Sequence, residues 1–210
     1  MVDRPEPSIA APDEVKIRVI RVGICGTDRE EISGGRADAP DGQKEELVIG
    51  HEMFGQVVGL GSSVTRVKIG DFAIFTVRRG CGQCPSCLMG RPDMCQTGKY
   101  RERGIRGLDG YQTEFVVDKE QYVVQVPTKL EAVGVLIEPL SIVEKAIDEA
   151  VRLQIVRCPE AAITPDWIVG RRCLVAGLGP VGLLASMVLQ LRGAHVYGLD
   201  VVDSTSARPQ

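Results

Sequence analysis

The chain reads as a two-part α/β protein: a β-rich, antiparallel, barrel-like domain followed by the opening of a doubly wound α/β domain. Three observations predict this. Five short Val- and Gly-rich runs separated by turns occupy residues 14 to about 127, the pattern of antiparallel strands. Four of the seven cysteines fall inside "CGQCPSCLMGRPDMC", residues 81–95, which marks a compact lobe. Near the end, "GLGPVG" follows an apolar run and opens a helical pattern.

The elements follow in order. The strand runs are "VKIRVIRVGI", "GQVVGLG", "FAIFTV", "YQTEFVVD" and "YVVQVP". Ser141 to Leu153 then reads as a helix, with Ser141 and Glu144 spaced as a capping box and Ile142, Ala146, Ile147, Ala150 and Leu153 as its apolar side. "RCPEAAITPDWIVG" is a loop in which Cys158 has no assigned role. Cys173–Ala176 is a buried strand. Leu183, Leu184, Met187, Val188 and Leu191 recur at helical spacing, Gly193 ends that helix, and "HVYGL" is the next strand. The expected boundary puts residues 1–140 in the first domain and 141–210 in the second.

Composition excludes several classes. With 44% hydrophobic and 25% charged residues, the 210-residue chain has an ordinary globular make-up. A net charge of −3 gives no reason to expect nucleic acid or an anionic membrane surface as partner. No apolar run approaches the ~20 residues that span a bilayer, and no secretory signal is legible. An odd number of cysteines without such a signal suits a cytoplasmic protein with reduced thiols, and favours metal over disulfides.

Cys81, Cys84, Cys87 and Cys95 read C-x2-C-x2-C-x7-C. Closely spaced thiolates on turns supplied by Gly80, Gly82, Gly90, Pro85 and Pro92 suit tetrahedral Zn2+. An iron–sulfur cluster also takes four thiolates, and plain buried cysteines are the other alternative. Four thiolates leave no open coordination position, so such a zinc is structural.

A second set of soft ligands lies elsewhere. "VGICGTDREE" carries Cys25, "LVIGHEMFGQVVGLG" carries His51 and Glu52, and "GVLIEPLSIVEKA" carries Glu138. One Cys, one His and one or two carboxylates can hold zinc with a position left open. A buried thiol and a satisfied histidine are the plain alternative.

The phosphate-binding signal is Gly177, Gly179 and Gly182 in G-x-G-x-x-G, with Pro180 at the first helical position and Val181 between. Strand, turn, helix, strand and then Asp200 about twenty residues on is the arrangement that binds a dinucleotide, the acid accepting from a ribose. A bland helix N-terminus is the competing reading.

"GICGTD", "IGHEMFGQVVGLGSSVTRVKIGD", the four-cysteine lobe and "GLGPVG", in that order, resemble the zinc-dependent medium-chain alcohol dehydrogenases. "TVRRGCGQC", "TGKYRERGI" and "EPLSIVEKA" are similar to their glucose dehydrogenase branch. The resemblance implies a GroES-like barrel carrying two zinc ions, then a Rossmann NAD(P)-binding domain. It implies Cys25, His51, Glu52 and Glu138 at a catalytic zinc, Thr27 passing a proton outward, and Asp28 orienting His51. Without it, Thr27 and Asp28 read as turn caps. It also implies that Glu102, with Glu138, contacts sugar hydroxyls, where the residues alone suggest a solvated charge balancing Arg101 and Arg103.

The activity so implied is oxidation of an aldose, D-glucose at its anomeric carbon, by NAD, with NADP as alternative. Asp200 is followed by Val201 and Val202, and Arg208 lies far downstream, so NAD is expected to be favoured. A threonine, polyol or simple alcohol substrate stays open, as does a non-catalytic zinc-stabilised module. Measured against the family pattern the chain reads as trimmed at both ends, and the full-length parent is expected to be a homo-oligomer.

Overall fold

The computed structural model describes residues 3–34, 38–42, 46–163 and 166–202. Arg208 and the rest of "DSTSARPQ" lie outside them. The chain divides into two compact units, Met1–Leu136 and Ile137–Gln210.

The first unit is built on a five-stranded sheet. Its strands are β1 (Glu14–Gly23), β2 (Glu52–Leu60), β3 (Phe72–Phe75), β7 (Phe115–Lys119) and β8 (Val123–Val126), ordered β7-β1-β2-β3-β8, every pairing antiparallel. Val15 and Ile17 alternate inward with Lys16 and Arg18 between them, as a half-buried strand requires. Together with Met53, Val57, Ala73, Phe75, Tyr111 and Val123 they form the core. The register of β1 on β2 slips between Val19 and Arg21, and Ile20 is left exposed. A bulge of this kind re-aims the strand end. After it, Gly23 stands opposite Glu52.

A helix, α1 (Gly26–Ile32), follows β1 directly. The cysteine lobe leaves the sheet through β4 (Arg78–Arg79), winds through the short α2 (Pro85–Leu88), and returns as β5 (Arg101–Arg103) and β6 (Gly107–Leu108). These strands form a second sheet, β4-β5-β6, in which Arg78 is registered on Glu102.

Buried polar contacts tie this sheet to β7. Asp118 Oδ2 accepts from Arg79 Nη2 (2.6 Å) and from Arg103 Nε (2.9 Å) and Nη2 (2.7 Å), while Arg79 stacks 3.6 Å from the centre of the Tyr122 ring. Burial pushes the Asp118 carboxyl up, but the two guanidinium groups outweigh it and hold it below its ordinary value. Its contribution is therefore present above the ordinary carboxylate range and lost as pH falls through the lowered value. Asp118→Ala would strand a buried guanidinium and should cost about 3–5 kcal/mol, read from urea unfolding.

In the second unit, β9 (Arg172–Ala176) and β10 (His195–Leu199) pair parallel around α4 (Pro180–Leu191), a βαβ unit. A long helix, α3 (Ile137–Arg157), precedes them. Val143, Ile147, Ile168, Val188 and Ala194 form its core. Two sequence expectations are corrected here. The helix begins at Ile137 rather than Ser141, so no capping box forms: Ser141 Oγ donates to the Glu138 carbonyl (2.7 Å) and Glu144 pairs with Arg192. Its buried side runs through Val143 and Ile147 toward Val151, leaving Ile142, Ala146, Ala150 and Leu153 exposed. Apolar residues lie on both sides of this helix, and the packing against α4 selects one. On α4 itself Val188 is buried, while Leu183, Met187 and Leu191 are exposed. No described helix is long and apolar enough to cross a membrane.

Candidate metal and active site

Cys25 is the N-cap residue of α1. Its Sγ accepts from the Thr27 N–H (3.3 Å), and Asp28 Oδ2 accepts from the Cys25 N–H (2.8 Å), a reciprocal capping box. Asp28 is fully buried, and its Oδ1 faces His51 Nδ1 at 3.6 Å. The other ring nitrogen, Nε2, lies 3.1 Å from Cys25 Sγ. Asp28 thus caps the helix with one oxygen, as the plain reading has it, while the other faces the histidine just beyond hydrogen-bond reach.

Glu52 completes the group: one donor atom each from Cys25, His51 and Glu52 lie within 4.8 Å of one another. Its carboxylate rests on Gly23, where any Cβ would collide with Glu52 Oε2. Burial, then the charge of Asp28, raises the Glu52 carboxyl above its ordinary value, with His51 pulling the other way. Soft sulfur, imidazole and carboxylate on one point are a donor set that fits Zn2+. Glu138 lies in the first turn of α3, in the other unit, and is not among the donors that the first unit gathers.

The four lobe thiols also converge, all within 4.8 Å, and Cys81 and Cys87 sulfurs are 3.8 Å apart. Tetrahedral zinc with bonds of about 2.3 Å sets thiolates about 3.8 Å apart, whereas a disulfide needs about 2 Å. The Thr97 hydroxyl pulls the Cys81 thiol down to about 5 and lowers that of Cys95 as well; burial pushes Cys87 up to about 11.

Glu102 is not paired with Arg101 or Arg103. It forms an ion pair with Arg78 (2.6 Å), the residue registered opposite it, while Arg103 serves Asp118. Arg78 and Arg106 lie 4.0 and 4.7 Å from the centre of the Tyr100 ring, two cationic contacts that the sequence reading did not contain. Sequence reasoning also missed Glu31, four residues after Thr27 and three after Asp28, a helical spacing that places all three on one side of α1. Burial, then the charges of Asp28, Glu102 and Glu30, lifts its carboxyl to about 7. Its folded value lies above the unfolded one, so the stability it allows is full below the ordinary range near 4.5 and lost as pH rises through about 7. Glu31→Gln should therefore raise the melting temperature by several degrees at pH 8 and hardly at pH 5, which thermal unfolding at the two pH values checks.

In the second unit, Gly179 caps α4 and Pro180 occupies its first position. A Cβ on Gly182 would strike the Gly177 carbonyl, so helix and turn approach as closely as glycine permits. Asp200 reaches back to the same turn, its Oδ2 accepting from the Leu178 N–H (2.6 Å) and its Oδ1 from the Val202 N–H (3.0 Å). Val181 is half exposed on the first turn of the helix.

Residues 11–128 match the alcohol dehydrogenase GroES-like domain, and residues 131–210 match the glucose dehydrogenase C-terminus. A glucose 1-dehydrogenase of Methanocella arvoryzae is 44% identical over 196 residues, covering 93% of this chain and 51% of that protein. Haloferax mediterranei glucose dehydrogenase, solved in complex with NADP, Zn and gluconolactone, superposes with a TM-score of 0.81 at 35% identity, covering 97% of this chain and 55% of that one. Galactitol-1-phosphate dehydrogenase of Escherichia coli superposes with a TM-score of 0.78 at 26% identity, covering 97% and 53%. The chain spans about half the length of the curated relatives it matches. By its domain match, its relatives and its fold, the chain belongs to the alcohol dehydrogenase family with the GroES-like domain, in its glucose dehydrogenase branch.

Proposed function

We propose that the protein oxidises an aldose, D-glucose at its anomeric carbon, passing a hydride to NAD or NADP. The observation that carries this is the convergence of Cys25, His51 and Glu52 with Asp28 behind the histidine, in a chain 44% identical to a glucose 1-dehydrogenase. In this reading the first domain (residues 1–140) holds two zinc ions, one on Cys81, Cys84, Cys87 and Cys95 and one on Cys25, His51 and Glu52, with Glu138 as a further ligand. The second (141–210) holds the dinucleotide on Gly177, Gly179, Pro180, Val181, Gly182 and Asp200.

Bound zinc supplies Lewis acidity toward the reacting hydroxyl, and the nicotinamide supplies the hydride acceptor. The chain's own work is positional. Asp28 fixes the ring of His51 and the tautomer that leaves Nε2 free as a ligand. The Thr27 hydroxyl carries the substrate proton outward. Glu102, held by Arg78, and Glu138 accept sugar hydroxyls. The net charge of −3 supports small molecules rather than nucleic acid as partners, and the odd number of cysteines supports a cytoplasmic setting. Homo-oligomerisation of the full-length protein belongs to the same reading.

Turnover of glucose, galactose, xylose, threonine and ethanol by the full-length protein tests this. Glucose should lead, and Glu102→Gln should cut efficiency on glucose far more than it weakens cofactor binding. Threonine or ethanol turned over better than every sugar would overturn the aldose assignment. The likeness to galactitol-1-phosphate dehydrogenase makes a polyol the next substrate class to try.

On cofactor choice, the Asp200 charge should repel a 2′-phosphate, so NAD is preferred. Asp200→Ala should shift the ratio of efficiencies toward NADP by about tenfold, the effect of roughly 1.4 kcal/mol. A wild type that prefers NADP, unchanged by that substitution, contradicts the assignment.

A further inference from the structure

We propose that Glu31 is a substrate-binding residue of this site, accepting hydroxyl groups of a polyhydroxylated substrate beside Glu102; this rests on the aldose reading above. Glu31 is 4% exposed, and neither carboxylate oxygen has a hydrogen-bond partner. Among the described residues the buried side-chain atoms in that condition are Asp28 Oδ1, His51 Nδ1, both oxygens of Glu31, and Trp167 Nε1. Four of these five belong to one corner of the first unit. Asp28 Oδ1 and His51 Nδ1 face each other at 3.6 Å, so a small movement satisfies that pair. Glu31 has no such counterpart.

A carboxylate buried without donors is costly, and cores do not keep one without a reason. Its electrostatic neighbours are other carboxylates, Asp28 and Glu102, rather than cations. A structural ion pair with Arg78 does not account for it either, because Arg78 is engaged by Glu102 and the Tyr100 ring. What the position suits is an incoming group rich in O–H donors. An aldose offers several around the reacting carbon, and two neighbouring carboxylates can receive adjacent ones. Helical spacing sets Glu31 on the same side of α1 as Thr27 and Asp28, the side that meets His51. With an acidity near neutral, Glu31 can also donate when protonated.

The test compares the full-length wild type with Glu31→Gln and Glu31→Leu on glucose, its 2-, 3-, 4- and 6-deoxy analogues, and ethanol. Glu31→Leu is similar in size and removes a buried charge, so it should fold at least as well, which thermal unfolding verifies. Expected are a KM for glucose raised about tenfold in Glu31→Gln and more in Glu31→Leu, with the KM for cofactor unchanged. One deoxy-sugar should be bound equally by wild type and variants, because it lacks the hydroxyl that Glu31 receives. Glucose should also raise the melting temperature of the wild type more than that of Glu31→Leu. If sugars remain the preferred substrates but every sugar suffers the same change, or none does, the proposal is overturned and the aldose reading stands. If ethanol exceeds every sugar in the wild type, the aldose reading falls and takes this proposal with it.

Discussion

Cys95→Ser is expected to leave the full-length protein with one zinc ion per chain instead of two and to lower its melting temperature by several degrees. The four lobe sulfurs lie within 4.8 Å of one another, the Cys81–Cys87 pair at the 3.8 Å that suits tetrahedral zinc, and a structural zinc contributes directly to folding free energy. At roughly 2–4 °C per kcal/mol for 150–250 residues, and less in a longer chain, a loss of several kcal/mol gives that shift. The lobe has little apolar material to hold it otherwise. Leu88, Met89 and Met94 are exposed, and its helical pieces α2 (Pro85–Leu88) and Pro92–Met94 are a turn or less. Elemental analysis beside a thermal scan checks the outcome. Two zinc ions retained, or an iron–sulfur absorption band in the wild type, would refute the structural-zinc assignment.

Cys25→Ser should behave in the opposite way. Cys25 is half-buried at a helix cap, and serine caps a helix at least as well as cysteine, so the fold should survive within about 1 kcal/mol. The soft donor beside His51 is lost, however, and with it the geometry proposed for the reacting hydroxyl. Even an outer partner of a metal ligand costs 10- to 100-fold when removed, so a ligand should cost at least about 100-fold in kcat/KM. Steady-state kinetics and a metal count on the folded variant decide it. A variant with full activity would remove Cys25 from the catalytic set, and one that fails to fold would make it structural.

The two substitutions separate because the two groups of candidate ligands arise differently. The lobe is local: its four thiols lie within fifteen residues, and glycine and proline turns bring them together, so spacing alone suggests a closed site. Cys25, His51 and Glu52 depend on the sheet. His51 and Glu52 sit at the start of β2 and Cys25 just past the end of β1, and antiparallel pairing makes those ends neighbours. Once Gly23 is opposite Glu52, the carboxylate has the room a side chain would have taken.

Local rules in the amino-acid order therefore determined a good deal: the strand runs, the four-cysteine lobe, the Gly-Pro turn capping α4, and the candidate ligands at the strand ends. Each rests on neighbours in sequence, whether alternation, turn chemistry or ligand spacing. Tertiary structure alone decided the rest. The buried side of α3 runs through Val143 and Ile147, because packing against α4 chose between two apolar stripes. Glu102 pairs with Arg78 through a strand register rather than with its neighbours in sequence. In the amino-acid order Glu31 is one charge among several; burial beside Asp28 and Glu102 makes it an unpaired carboxyl with a raised pKa. Desolvation and cross-strand register depend on residues remote in sequence, and no reading of nearest neighbours contains them.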